Sequence, residues 1–91
     1  MNYQIEKYIR QLFYNAQSGI CPICLKPLDT KLSLDHSHLT GEPRGLLHQR
    51  CNMMVAQKEM HTKKLNYIIS RQTEERIWNY INNHVKLEVV E

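Results

Sequence analysis

No stretch of this sequence approaches the ~20 consecutive apolar residues that a membrane-spanning helix needs. Its first residues, Met1-Asn2-Tyr3-Gln4-Ile5-Glu6, lack the basic region and apolar stretch of a secretory signal. Neither membrane insertion nor export is expected, and the cytoplasm is the expected compartment. Internal repeats and low-complexity stretches are missing, so a repeat architecture is excluded. Charge of one sign is also in short supply: the formal net charge is only +3. That mildly basic balance permits a polyanionic partner without demanding one. Cysteine is scarce and odd in number, at three residues, Cys21, Cys24 and Cys51. An odd count without a secretion signal argues against a disulfide framework and for metal ligation.

What remains is a chain of 91 residues, 42% hydrophobic and 23% charged, the composition of one small globular domain. A chain this short buries only about two-thirds of its surface on folding, so its core is marginal without a staple. Over residues 2–17, Ile5, Ile9, Leu12, Phe13 and Ala16 recur at helical spacing, and Ser18-Gly19 ends that helix with a glycine suited to the left-handed cap. Leu32-Ser33-Leu34 alternates as a short strand running into Asp35-His36, and Gly45-Leu46-Leu47 reads as a second strand. Gly41 and Pro43 punctuate the polar loop between them. Residues 50–58 read as a helix with Met53, Met54 and Ala56. Thr62 is a candidate cap for a helix carrying Leu65, Ile68 and Ile69. Thr73 is a candidate cap for another carrying Ile77, Trp78, Ile81 and Val85. The expected fold class is α+β, a single domain over residues 1–91 with its core at 20–60 and C-terminal helices at 62–85.

Cys21 and Cys24 are two residues apart within Cys21-Pro22-Ile23-Cys24, and His48 and Cys51 repeat that offset 23 residues later. Each pair sits on one tight turn, and two such turns brought together supply the four ligands of a tetrahedral zinc site. Three cysteines and one histidine close the set with no thiol left over. His36 or His38 in place of His48 is the rival assignment, disfavoured because His48 alone repeats the two-residue offset. Four protein ligands leave no open position, so this Zn²⁺ is expected to be structural. A redox role for the Cys-x-x-Cys pair is a weaker reading, since no βαβ pattern surrounds it and Cys51 would be unexplained.

Such a zinc would bring Asp35-His36, at the end of one strand, toward Asn52, at the start of the following helix. A carboxylate and a neutral amide oxygen suit a loosely held divalent ion with positions left for water and phosphate. A neutral imidazole at His36 can take a proton from an attacking water. Arg44 and Arg50 are candidate phosphate contacts, weighed against ordinary solvated arginines. His61-Thr62-Lys63-Lys64 is the densest basic stretch, either a phosphate-tracking face or a polar helix face. Trp78 reads as core or as a dimer contact before it reads as a base-stacking platform.

Phe13-Tyr14-Asn15-Ala16-Gln17-Ser18-Gly19-Ile20-Cys21-Pro22-Ile23-Cys24, Asp35-His36-Ser37-His38, Thr40-Gly41, Arg44-Gly45-Leu46-Leu47 and Cys51-Asn52 together resemble the phage recombination endonuclease VII family, part of the wider His-Me (ββα-metal, HNH-like) nucleases. The resemblance implies a ββα-metal core with flanking helices. It implies that Asp35 and Asn52 hold a catalytic Mg²⁺ or Mn²⁺, that His36 is the general base, and that His38 lies near the scissile phosphate. It also assigns Cys21, Cys24, His48 and Cys51 to structural zinc. The implied partner is double-stranded or branched DNA, cut in the host cytoplasm if the protein is phage-encoded.

The sequence departs from the family in three places. His48 stands where cysteine is usual. Val55 stands where some members carry an acid one turn beyond the asparagine, with Glu59 a turn further on. The long C-terminal region of the junction-resolving members has no counterpart in these residues. A homodimer through the C-terminal helices would let a twofold enzyme cut two strands. The competing function is a non-catalytic zinc module that binds nucleic acid or a protein.

Overall fold

The computed structural model describes residues 2–60 and 66–87. Its elements are α1 (Tyr3–Ala16), β1 (Leu32–His36), β2 (Pro43–His48), α2 (Gln49–Met60) and α3 (Arg71–Asn83). The two strands pair antiparallel. This is the α+β plan expected from the sequence.

Asn2 caps α1, its side-chain oxygen accepting from the backbone N–H of Gln4 at 2.9 Å and of Ile5 at 3.1 Å. At the other end Ser18 and Gly19 both take left-handed conformations, with φ of 55° and 68°. Ser18 N–H then donates to Asn15 O and Gly19 N–H to Tyr14 O, the paired bonds of a Schellman cap. Only the last turns of the apolar stripe pack well. Phe13 is buried, Ile9 and Leu12 are half-buried, and Ile5 and Ala16 are exposed.

Gln17 fixes α1 to the sheet. Its side-chain amide donates to Leu46 O at 2.7 Å and accepts from Leu46 N–H at 2.8 Å, satisfying an edge of β2 as a third strand would.

The hairpin is short but covered on both faces. Leu34 and Asp35, adjacent on β1, are both buried, as are Leu46 and Leu47 on β2. Neighbouring strand residues point to opposite faces, so each face has a lid. The register runs Leu34↔Leu46, Asp35↔Gly45 and then His36↔Pro43, leaving Arg44 as the extra residue of a β-bulge.

α2 begins directly after β2 and buries Cys51, Met54 and Val55. α3 buries Ile77 and Tyr80, and its Arg76 Nε donates to Ile23 O at 2.6 Å, tying it to the turn between Cys21 and Cys24.

Three expectations about the C-terminal part need correction. Ile68 and Ile69 lie outside any helix; Thr62 and Leu65 lie outside the described residues, as does the His61-Thr62-Lys63-Lys64 run. The cap of α3 is Ser70, whose Oγ accepts from Thr73 N–H at 3.2 Å, so the helix starts one turn earlier than Thr73 suggested. Trp78 is exposed, and Val85 lies beyond the helix, because one narrow stripe of α3 meets the core through Ile77 and Tyr80. Among the described residues no helix is long and apolar enough to cross a membrane.

Candidate metal centre and catalytic cluster

A tight hairpin presents the first pair of sulfurs. Cys21 N–H donates to Lys26 O, Leu25 N–H donates back to Cys21 O, and Leu25 takes a φ of 63° to close the turn. The second pair comes from the junction of β2 and α2, with His48 the last residue of the strand and Cys51 in the first helical turn. The donor atoms of Cys21, Cys24, His48 and Cys51 all lie within 4.8 Å of one another. Ligands on a zinc at ~2.0–2.3 Å stand ~3.3–3.8 Å apart, so small adjustments close the site.

The histidine is already oriented for ligation. His48 Nε2 lies 3.0 Å from Pro27 O, to which it donates, and 3.5 Å from Asp29 Oδ1. That commits the proton to Nε2 and leaves Nδ1, 3.2 Å from Cys24 Sγ, with its lone pair free for a metal.

The thiols press on one another. The hydrogen bond from Cys51 holds the Cys21 thiol down to about 4 against the opposing effect of burial. The same bond and burial push Cys51 up. Gathered thiols that resist ionising together are what a divalent cation relieves, so the donor set fits a structural metal such as zinc. His48 completes the cluster, and neither His36 nor His38 belongs to it.

A second polar cluster is built around the bulge. Arg44 is 3% exposed and carries a full set of partners. Its Nε donates to Asp35 Oδ2 at 2.7 Å, and its Nη2 lies 3.4 Å from Asp35 Oδ1. Toward α2, Nη1 donates to Glu59 Oε2 at 2.7 Å and Nη2 to Glu59 Oε1 at 2.8 Å. Tyr80 of α3 donates its hydroxyl to Asp35 Oδ2 at 2.7 Å, and His38 Nδ1 lies 3.2 Å from Glu59 Oε1.

Burial works against the Arg44 charge, but the hydrogen bonds and charges of Glu59 and Asp35 outweigh it and raise its pKa. Glu59 is lowered, chiefly by the hydrogen bond from Arg44. Burial, and then the charge of Asp35, keep the Tyr80 phenol protonated far above its ordinary range.

Gly45 makes room for this arrangement. A Cβ there would meet Tyr80 Oη at 2.5 Å and its ring carbon at 2.7 Å. A side chain at position 45 would push Tyr80 off the strand and away from Asp35.

The candidate residues from the sequence therefore divide. Asp35 is buried beneath Arg44 and Tyr80, while His36 next to it is exposed at the end of β1. His38 is exposed in the loop and meets Glu59. Asn52 is half-buried on α2, and among the described residues no hydrogen bond joins it to Asp35 or His36. The helix residue that reaches the Asp35 cluster is Glu59. It lies seven residues beyond Asn52, hence on the same stripe two turns away.

Arg44 is not a surface phosphate contact but a buried cation shared by two carboxylates. Arg50 remains available, its guanidinium carbon 5.4 Å from the Tyr67 ring centre on the wall of an open cleft of about 530 Å³ that Lys31 also lines. No sequence motif gives Tyr80 or Glu59 a role. The helical spacing of Glu59 from Asn52 was the one signal available for it; for Tyr80, distant along the chain, there was none.

The family described as recombination endonuclease VII matches residues 1–81. No curated protein and no solved structure matches the chain.

Proposed function

The chain belongs to the recombination endonuclease VII family, and we propose that it is a divalent-metal-dependent DNA endonuclease in which His36 is the general base. The observation that carries this reading is the end of β1. There an exposed imidazole at His36 follows directly on Asp35, whose buried carboxylate is anchored by Arg44 and Tyr80. A reacting group that must meet a polymer belongs on the surface, and its neighbour is held rigid by packing.

The ring of His36 takes the proton from a water molecule as its oxygen attacks phosphorus. The new P–O bond forms as the bond to the 3′ oxygen breaks; that oxygen keeps the electron pair and takes a proton from solvent water, leaving a 5′-phosphate and a 3′-hydroxyl. Asp35 Oδ2 is occupied by Arg44 and Tyr80, whereas among the described residues Oδ1 has only the 3.4 Å contact and keeps capacity for another partner. Asp35 Oδ1 and the Asn52 amide oxygen would hold Mg²⁺ or Mn²⁺, which supplies positive charge against the phosphate and the departing oxygen when bound.

The zinc reading gives Cys21, Cys24, His48 and Cys51 a separate task, fixing the hairpin against α2. Double-stranded or branched DNA is the substrate this chemistry suits, with Arg50 and Lys31 as phosphate contacts. A twofold through α3, where Trp78 is exposed, would set two such sites on one duplex.

His36 is exposed and, among the described residues, its side chain forms no hydrogen bond or ion pair, so His36→Ala should fold normally. Fluorescence anisotropy on a synthetic duplex and on a four-way junction should show this variant binding like the wild type while cutting neither. Cutting at the wild-type rate would remove His36 from the mechanism. Binding that never depends on a divalent ion, with no cutting by either protein, would favour the non-catalytic zinc module.

A further inference from the structure

Among the described residues, His38 is the imidazole within ion-pair distance of the bulge cluster. Its Nδ1 lies 3.2 Å from Glu59 Oε1, and its side chain is 43% exposed. Glu59 is not a loose surface carboxylate, because both its oxygens accept from the buried Arg44 guanidinium, at 2.7 and 2.8 Å. Arg44 is itself pinned on its other side by Asp35. A chain of contacts thus runs from the end of β1, through the bulge of β2, to the last turn of α2, and ends on the loop histidine. The only charged group among the described residues within ion-pair distance of His38 is Glu59.

We propose that Glu59 is a positioning residue for His38: anchored by Arg44, its carboxylate holds the ring with Nδ1–H turned inward, so that Nε2 is the atom offered to the DNA phosphodiester. A carboxylate opposite one ring nitrogen selects the tautomer in which that nitrogen carries the proton. Nε2 then faces the substrate, as a donor to a phosphate oxygen when the ring is protonated. Val55, where some family members carry an acid, is buried in the hydrophobic core. Glu59 instead brings a helix carboxylate to the site one turn later, acting through a histidine. This inference rests on the nuclease reading for its substrate, but the hold on His38 is a property of the protein alone.

Two readouts test it. Long-range ¹⁵N–¹H spectra of the zinc-loaded protein at mildly alkaline pH should show His38 protonated at Nδ1. In Glu59→Ala the ring should revert to the Nε2–H form that free imidazole side chains favour. An unchanged tautomer would overturn the proposal. In cleavage assays Glu59→Ala should lose about tenfold in kcat with KM little altered. Glu59→Gln, which keeps an acceptor oxygen, should recover part of it. On a His38→Ala background the same Glu59 substitutions should cost nothing further. A full additional loss there would show that Glu59 acts by another route. Should Glu59→Ala not fold, Glu59→Gln carries both comparisons. A wild-type protein that cuts no DNA would sink the nuclease reading, whereas the tautomer spectra would still decide whether Glu59 holds His38.

Discussion

Asp35 is the residue on which the site turns. Its carboxylate is buried, and Arg44 and Tyr80 spend three donors on it. Tyr80→Phe removes one of those donors and should cost about 1–3 kcal/mol in urea unfolding, with a fall in cleavage rate. An unchanged midpoint would mean that Arg44 alone satisfies Asp35. Gly45→Ala should do comparable damage from the opposite direction, since its Cβ would stand 2.5 Å from the Tyr80 hydroxyl.

Glu59 ties stability to pH. Its pKa is lowered in the fold from the ordinary 4.5, mainly by the hydrogen bond from Arg44. Its contribution is therefore complete above the unfolded value and is lost as pH falls through the lower, folded one. The stability gap between wild type and Glu59→Gln should be constant near neutrality and close in strong acid. A gap that widened as pH fell would contradict this.

Among the elements, α1, the two strands and α2 were legible because each carries a local signal: a helical stripe, a short alternation, or glycine and proline punctuation. Boundaries moved where side chains outside the pattern took over. Ser70 begins α3 a turn before Thr73, whereas α1 begins at the expected place, capped by the amide oxygen of Asn2. The gathering of Cys21, Cys24, His48 and Cys51 was legible for the same reason, since the two-residue offset is itself a turn geometry. The bulge cluster was not. It joins β1, β2, α2 and α3 across gaps of up to 45 residues, as from Asp35 to Tyr80, and no local periodicity encodes such a meeting. The Gln17 clamp is another long-range contact of this kind, although the residue lay in plain view within the family-like run. Gln17→Ala leaves Leu46 without a partner for either backbone group and should cost about 1–3 kcal/mol. Amide hydrogen exchange at Leu46 should accelerate, and a protected Leu46 would show the clamp to be incidental.

The whole molecule is held by contacts that a small core cannot supply by itself. The cluster of Cys21, Cys24, His48 and Cys51 joins the turn after α1 to the β2–α2 junction, and Arg76 fastens α3 to the same turn through Ile23 O. Zinc chelation, or Cys24→Ser, should therefore collapse near-ultraviolet circular dichroism and broaden thermal unfolding, beyond simple inactivation. A sharp transition at the native midpoint without metal would show that the staple is dispensable.

The central claim is that this stapled hairpin cuts DNA through His36. It is tested most directly by incubating supercoiled plasmid with the wild type and with His36→Ala, each in Mg²⁺ and in EDTA. Relaxed or linear product from the wild type in Mg²⁺ alone is the predicted result. Equal product from His36→Ala, or product that persists in EDTA, would contradict it.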